Sequence, residues 1–198
     1  FSGGEPFMRQ DLFELGEYAL SRGLRTVIST NGTLITKDVA QKIKDSGFSY
    51  VGISLDGLEK VNDKFRKEAG AFQKTLQGIR NCHAFGVRAG LRFTINKHNF
   101  SDISGILDLA EEERIKRVCF YHLVYSGRGS AMIKEDLTKE QARDTMDLIF
   151  QRAVRLCRKN NDAEILTVDN HTDGVYLYQR LKKEDKQHKE FYDLMLIE

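Results

Sequence analysis

The chain has 198 residues, 40% of them hydrophobic and 30% charged, with a formal net charge of +2. That length suits one domain with a real core, and Lys and Arg scattered along a nearly neutral chain give no electrostatic case for nucleic acid. No apolar run is long enough to cross a bilayer, which argues against a membrane partner.

Phe1 and Ser2 read as the end of a strand, and the chain opens there with neither an initiator Met nor a signal-peptide pattern, so a fragment of a longer protein is expected. Leu12, Leu15 and Ala19 recur at helical spacing until Gly23. Thr26 to Thr30 is β-branched and predicts a strand, closed by the turn dipeptide Asn31-Gly32. Thr36 can cap a helix carrying Val39, Ala40 and Ile43, which Gly47 ends. Tyr50 to Leu55 is the next strand, with Asp56-Gly57 as its turn. Two helical stretches follow, the second with Phe72, Leu76, Ile79 and Cys82 on one face. Val87 to Asn96 alternates as a strand, and Ser101 is the expected cap of a helix through Ile103, Ile106, Leu107 and Ala110. Val118 to Val124 is an apolar strand, and Thr138 opens a long helix with Met146, Ile149, Ala153 and Leu156. Glu164 to Val168 is the last strand, Asp173 is the expected cap of a final helix, and Lys182 to Lys189 is densely charged.

Strands alternating with helices imply right-handed βαβ units and a parallel sheet. About six strands are visible, so the pattern alone admits either a doubly wound sheet or a partial (β/α) barrel. Cys82, Cys119 and Cys157 share no metal-ligand spacing. They read as small buried hydrophobes in a reducing compartment, hence a cytoplasmic protein. No metal ligands are expected within the chain, and Asp169-Asn170-His171-Thr172-Asp173 reads as capping residues rather than as a metal site.

In parallel α/β folds ligands are met at the carboxyl ends of the strands, and the polar, glycine-rich residues of this chain recur there. The first strand end is Ser2-Gly3-Gly4-Glu5-Pro6, where glycines let the backbone approach a ligand and Glu5 can accept from an ammonium group. The second is Ser29-Thr30-Asn31-Gly32 and the third Ser54-Leu55-Asp56-Gly57. Each sets a small hydroxyl inside the strand end and an amide or acid at the rim, groups suited to ribose hydroxyls and a carboxylate. Each is also an ordinary turn; the run of three at consecutive strand ends is what stands out.

G-G-E-P, S-T-N-G and S-L-D-G, in that order and spacing, resemble the radical S-adenosylmethionine (SAM) enzymes. Asn62-Asp63-Lys64-Phe65-Arg66 followed by Gly70-Ala71-Phe72 resembles the H-D-x-x-R…G-S/T-F segment of the subgroup with a cysteine-rich SPASM or twitch extension, with Asn62 in place of His. Arg92-Phe93-Thr94-Ile95-Asn96 is similar to that subgroup's fifth strand. Phe120-Tyr121-His122-Leu123-Val124-Tyr125-Ser126-Gly127-Arg128-Gly129 is similar to its sixth strand and the element after it. Within the subgroup that last stretch looks most like the enzymes of haem d1 synthesis and of the alternative, sirohaem-dependent haem pathway.

The resemblance implies an α/β fold, a partial (β/α)6 TIM-like barrel whose first strand and cluster loop would precede Phe1. Residues 1–160 would form the core, and 161–198 its end and the start of a C-terminal extension. It implies a [4Fe–4S] cluster held by a C-x₃-C-x₂-C loop outside this chain, and SAM cleaved to a 5′-deoxyadenosyl radical that abstracts hydrogen. The substrate would be a small molecule, an iron-containing modified tetrapyrrole that loses acetate or propionate side chains, and the electron donor a flavodoxin or ferredoxin. Carried over by position, Gly3, Gly4 and Glu5 would hold the methionine amino group, and Pro6 would fix the turn. Ser29, Asn31, Ser54 and Asp56 would meet the ribose or carboxylate, Arg66 the carboxylate, and the backbone at Leu123 and Val124 the adenine. His122 and Tyr121 are the catalytic candidates, only one of which can point inward from a strand. Arg92 and Arg128 are candidates for substrate carboxylates. The same SAM residues would serve a peptide- or protein-modifying maturase. A cluster-free sugar- or nucleotide-binding α/β module is the alternative from another class.

Overall fold

The computed structural model describes residues 1–158 and 162–184, apart from the side chains of 127–129 and 157–158. Five parallel strands form one sheet in the order β1 (Val27–Thr30), β2 (Tyr50–Ser54), β3 (Ala89–Thr94), β4 (Arg117–Tyr121) and β5 (Glu164–Val168). Sequential order without reversal excludes the doubly wound alternative, in which the order turns back at a switch point. It is the order of an open barrel wound in one direction, with every crossover helix on the same face.

Phe1 continues this sheet beyond β1. Its amino group donates to the Val27 carbonyl at 2.7 Å, and the Ser29 N–H donates to the Phe1 carbonyl at 2.8 Å. The strand end expected at Phe1 and Ser2 is therefore present as a stub beside β1.

The crossovers are α2 (Lys37–Asp45) between β1 and β2, α3 (Glu59–Arg66) and α4 (Ala71–Ala84) before β3, α5 (Ile103–Glu112) before β4, and α6 (Lys139–Arg158) before β5. A helix α1 (Leu12–Ser21) precedes β1, and α7 (Thr172–Glu184) follows β5. Thr36 caps α2 through the Val39 N–H at 3.3 Å. Thr138 and Gln141 exchange bonds of 3.0 and 3.2 Å in a capping box before α6. Ser101 is not a cap: a 3-10 turn, Phe100–Asp102, intervenes and α5 starts at Ile103. Asp173 is not the cap of α7 either, since Asn170 accepts from the Thr172 N–H at 3.1 Å.

Alternation along the strands gives the sheet two unlike faces. Ile28, Val51, Ile53, Leu91, Phe93 and Phe120 point to the helices and are fully buried. They pack with Ala40 and Ile43 of α2, Leu76 and Ile79 of α4, and Ile106 and Leu107 of α5. Phe93 and Phe120, adjacent in register, meet edge to face at 5.6 Å. One residue further along the same strands lie Ser29, Gly52, Ser54, Arg92, Cys119 and Tyr121, which make up the concave face.

Candidate functional site

At the first strand end Gly3 and Gly4 adopt φ of 92° and 54°, which L side chains avoid, and nothing lies within 4 Å of where a Cβ would stand. Their backbone is open to a ligand. Glu5 joins this loop to the next one: its carboxylate accepts from Thr30 Oγ1 at 2.6 Å and from the Asn31 N–H at 2.9 Å. It also accepts from the Phe7 N–H at 3.3 Å, capping the 3-10 turn that the buried Pro6 begins. Thr30, which the sequence reading passed over for its neighbours, is thus the link between the first two motifs. Asn31 folds back on itself, its Oδ1 accepting from the Thr33 N–H at 2.8 Å, and its carbonyl accepts from Thr75 Oγ1 at 2.9 Å.

The third strand end corrects an expectation. Asp56 is not an exposed rim residue; it is 7% exposed. Three side chains hold its loop down: Asn62, noted in the sequence as a departure from His, and Asn99 and Asp102, which sequence reading did not single out. Asn62 Oδ1 accepts from the Asp56 N–H at 3.1 Å, Asn99 Nδ2 donates to the Asp56 carbonyl at 3.1 Å, and Asp102 accepts from the Leu58 N–H at 2.8 Å. Arg66 Nη2 lies 2.5 Å from Asp56 Oδ2. Burial raises the Asp56 carboxyl above its ordinary value even though Arg66 works the other way. The N-D-x-x-R segment therefore acts as one bracket. Asn62 and Arg66 grip Asp56, while Asp63 accepts from the N–H groups of Gly70 at 2.6 Å and Phe72 at 2.8 Å to start α4.

Arg92 leaves β3 on the concave face. Its guanidinium sits 4.7 Å from the centre of the Tyr121 ring and donates to Ser29 Oγ. Gly52 makes room for it, because a Cβ there would stand 2.7 Å from Arg92 Cδ. His122 Nε2 lies 2.7 Å from Asp173 Oδ2, and the Asp173 side chain is 8% exposed. Such a partner orients the imidazole by accepting from a hydrogen on Nε2, which leaves Nδ1 as the nitrogen not paired with Asp173.

A cavity of about 520 Å³ at the carboxyl ends of β2 to β5 is bounded by residues that include Ser54, Asp56, Arg66, Arg92, Tyr121, His122, Leu123, Val124 and Asp169. Both catalytic candidates face it, contrary to the expectation that only one would. β4 ends at Tyr121, so strict alternation no longer governs His122, whose N–H reaches across to the Val168 carbonyl at 3.0 Å. Gly3, Gly4, Glu5 and Asn31 sit at the adjoining strand end, outside that lining. The side chain of Arg128 lies outside the described residues, as does that of Cys157. Cys82 and Cys119 are buried, and burial raises both thiols, Cys82 to about 12, so neither is primed as a thiolate. The volume is that of a drug- or nucleoside-sized site, with an apolar lip, a neutralised Asp–Arg pair and a guanidinium on its floor.

Residues 1–110, more than half of the chain, match the Radical SAM superfamily. A protein of Methanosarcina barkeri described as an Fe-coproporphyrin III synthase is 58% identical over 187 residues, 94% of this chain and 47% of its own length. One of Dinoroseobacter shibae described as a pre-heme d1 synthase is 40% identical over 88% of this chain and 44% of its own length. The chain spans about half the length of these curated relatives. Among solved structures, Streptococcus suis SuiB bound to S-adenosylmethionine matches 88% of this chain and 40% of its own, at a TM-score of 0.71 and 19% identity, a likeness of fold.

Proposed function

The chain belongs to the radical SAM superfamily, and on that premise we propose that it forms the SAM- and substrate-facing wall of an enzyme that trims acetate or propionate side chains from an iron-containing tetrapyrrole in haem or haem d1 synthesis. The observation that carries this reading is the cavity at the ends of β2 to β5, where a half-buried Arg92 without an ion-pair partner among the described residues faces a nucleoside-sized space. The names of the relatives, both of them tetrapyrrole synthases, support the substrate class.

SAM bound at a [4Fe–4S] cluster, whose ligands would come from residues outside this chain, would supply the radical chemistry of hydrogen abstraction. The chain's own residues would do the rest. The open carbonyls of Gly3 and Gly4 would accept from the methionine ammonium. Glu5 holds the two loops in register and can add a charged acceptor. Pro6 fixes the direction of the loop. Ser29, Asn31, Ser54 and Asp56 would serve the ribose or carboxylate, with Arg66 holding Asp56 in place, and Leu123 and Val124 would cover the adenine. His122, oriented by Asp173, would hold or take a proton at Nδ1. Tyr121 carries Arg92 rather than acting on the substrate itself. The electron donor would be a flavodoxin or ferredoxin and the setting cytoplasmic.

The full-length enzyme, reconstituted anaerobically with iron and sulfide, should release 5′-deoxyadenosine faster when given an iron tetrapyrrole bearing carboxylate side chains. Stimulation by a peptide substrate and none by any tetrapyrrole would overturn the substrate assignment and favour the maturase.

A further inference from the structure

Six arginines of the described residues form ion pairs: Arg9 with Asp11, Arg66 with Asp56, Arg80 with Glu113, Arg117 with Glu164, Arg152 with Asp108 and Arg180 with Asp147. Arg92 is half-buried on the concave face, yet its polar contacts are a serine hydroxyl and an aromatic ring. A guanidinium withdrawn from water without an anion is costly, and the fold goes to some length to keep it so. Gly52 removes the side chain that would block its stem, Tyr121 supports its plane by cation–π contact, and Ser29 fixes one edge of the fork. Two acids line the same cavity: Asp56 is already committed to Arg66, and Asp169, just after β5, makes no ion pair with Arg92 among the described residues. Arg92 thus presents to the cavity a planar, bidentate donor whose own contacts include no carboxylate.

We propose that Arg92 is the carboxylate receptor of the cavity, and that Gly52 is the residue that sets its position. The inference rests on the function proposed above and deepens it by naming the recognising group. A planar fork held between Tyr121 and Ser29 suits a carboxylate bound in two parallel hydrogen bonds. Two carboxylates enter this site in that reading, the methionine carboxylate of SAM and the side-chain carboxylates of the tetrapyrrole. The chemistry of recognition is the same for both.

The test uses the full-length, cluster-loaded enzyme and three variants, Arg92→Gln, Arg92→Lys and Gly52→Ala, each checked for folding by circular dichroism. The probes are SAM, iron coproporphyrin III and the tetramethyl ester of iron coproporphyrin III, each titrated separately. Arg92→Gln should weaken one of the two carboxylate ligands about ten- to a hundredfold, the scale of a lost charge-assisted hydrogen bond. Arg92→Lys keeps the charge but not the fork, so it should restore only part of the affinity, and it remains informative if Arg92→Gln does not fold. Gly52→Ala keeps the arginine but displaces it, and should weaken the same ligand as Arg92→Gln. Loss confined to SAM assigns the methionine carboxylate. Loss confined to iron coproporphyrin III, with the ester bound equally by parent and variant, assigns a tetrapyrrole carboxylate. If folded Arg92→Gln and Arg92→Lys bind SAM and iron coproporphyrin III within twofold of the parent, the inference is wrong. A parent that binds SAM but no tetrapyrrole would instead sink the substrate assignment, and the SAM titrations alone would then decide the role of Arg92.

Discussion

On the helix-covered face of the sheet Ile28, Ile53, Leu91, Phe93 and Phe120 are fully buried, while one step along the same strands the concave face carries Ser29, Ser54, Arg92 and Tyr121. The first face is made by transfer of apolar surface out of water, with no donor or acceptor to satisfy. The second holds hydroxyls, a guanidinium and a glycine where a barrel interior is ordinarily filled with branched apolar side chains. One face stabilises, and in the function proposed above the other is held at some cost for a ligand. Substitutions on the two faces should therefore change different measurements.

The largest effect belongs to the apolar face. Phe93 is fully buried against Phe120, and Phe93→Ala should cost about 3–5 kcal/mol of stability by lost transfer energy and an unfilled cavity. Urea unfolding would measure it, and SAM binding to the molecules that remain folded should be unchanged. A loss below about 1 kcal/mol would mean that the sheet repacks freely and that the contrast between the faces is weaker than drawn here.

Asp56 tests where the division fails, because it lines the cavity and is also buried. Asp56→Ala strands Arg66 and empties the centre of the bracket made by Asn62 and Asn99. Removing one partner of a fully buried pair costs about 3–5 kcal/mol, and since the Arg66 side chain is 31% exposed the loss should be smaller, about 1–3 kcal/mol. SAM affinity should fall as well, so both measurements should move together. A variant of unchanged stability would return Asp56 to the exposed rim that the sequence implied.

The parts of this architecture that were legible in sequence depend on short-range pattern. Alternating and β-branched runs marked all five strands, and the three strand-end motifs marked the end where the cavity lies. β4 was overextended because His122-Leu123-Val124 is as apolar as a strand, although the pairing ends at Tyr121 and only one further hydrogen bond reaches β5. What was not legible is long-range. Asp-Gly is an ordinary exposed turn, and nothing local tells that Asn99, far along the chain, will donate to the Asp56 carbonyl. The pairing of His122 with Asp173 likewise spans two elements, so Asp173 looked like a cap. Asn96 and Asn99, both buried after β3, were the signal available, since two asparagines at that spacing beside a strand end can only stay buried by satisfying backbone groups.

The smallest effect would sharpen the comparison with pH, through two carboxylates on one bracket. Burial raises Asp56 from its ordinary value of 3.8, whereas hydrogen bonds from the Phe72 and Gly70 N–H groups lower Asp63 from the same value. For Asp56 the folded state holds its proton more tightly than the unfolded chain, so its contribution to stability declines as pH rises from about 3.8 through the raised folded value. For Asp63 the sign is opposite: its contribution is present above 3.8 and is lost as pH falls through the lowered folded value. Asp56→Asn should therefore make stability rise more steeply with pH in the acid range than in the parent, and Asp63→Asn should make it rise less steeply. Unfolding midpoints measured from pH about 3 to 7 would read both slopes against the parent. If the two variants change the slope in the same direction, the ligand-facing acid and the helix-capping acid share one environment, and the distinction between a carboxylate held for a ligand and one held for the fold is lost at this loop.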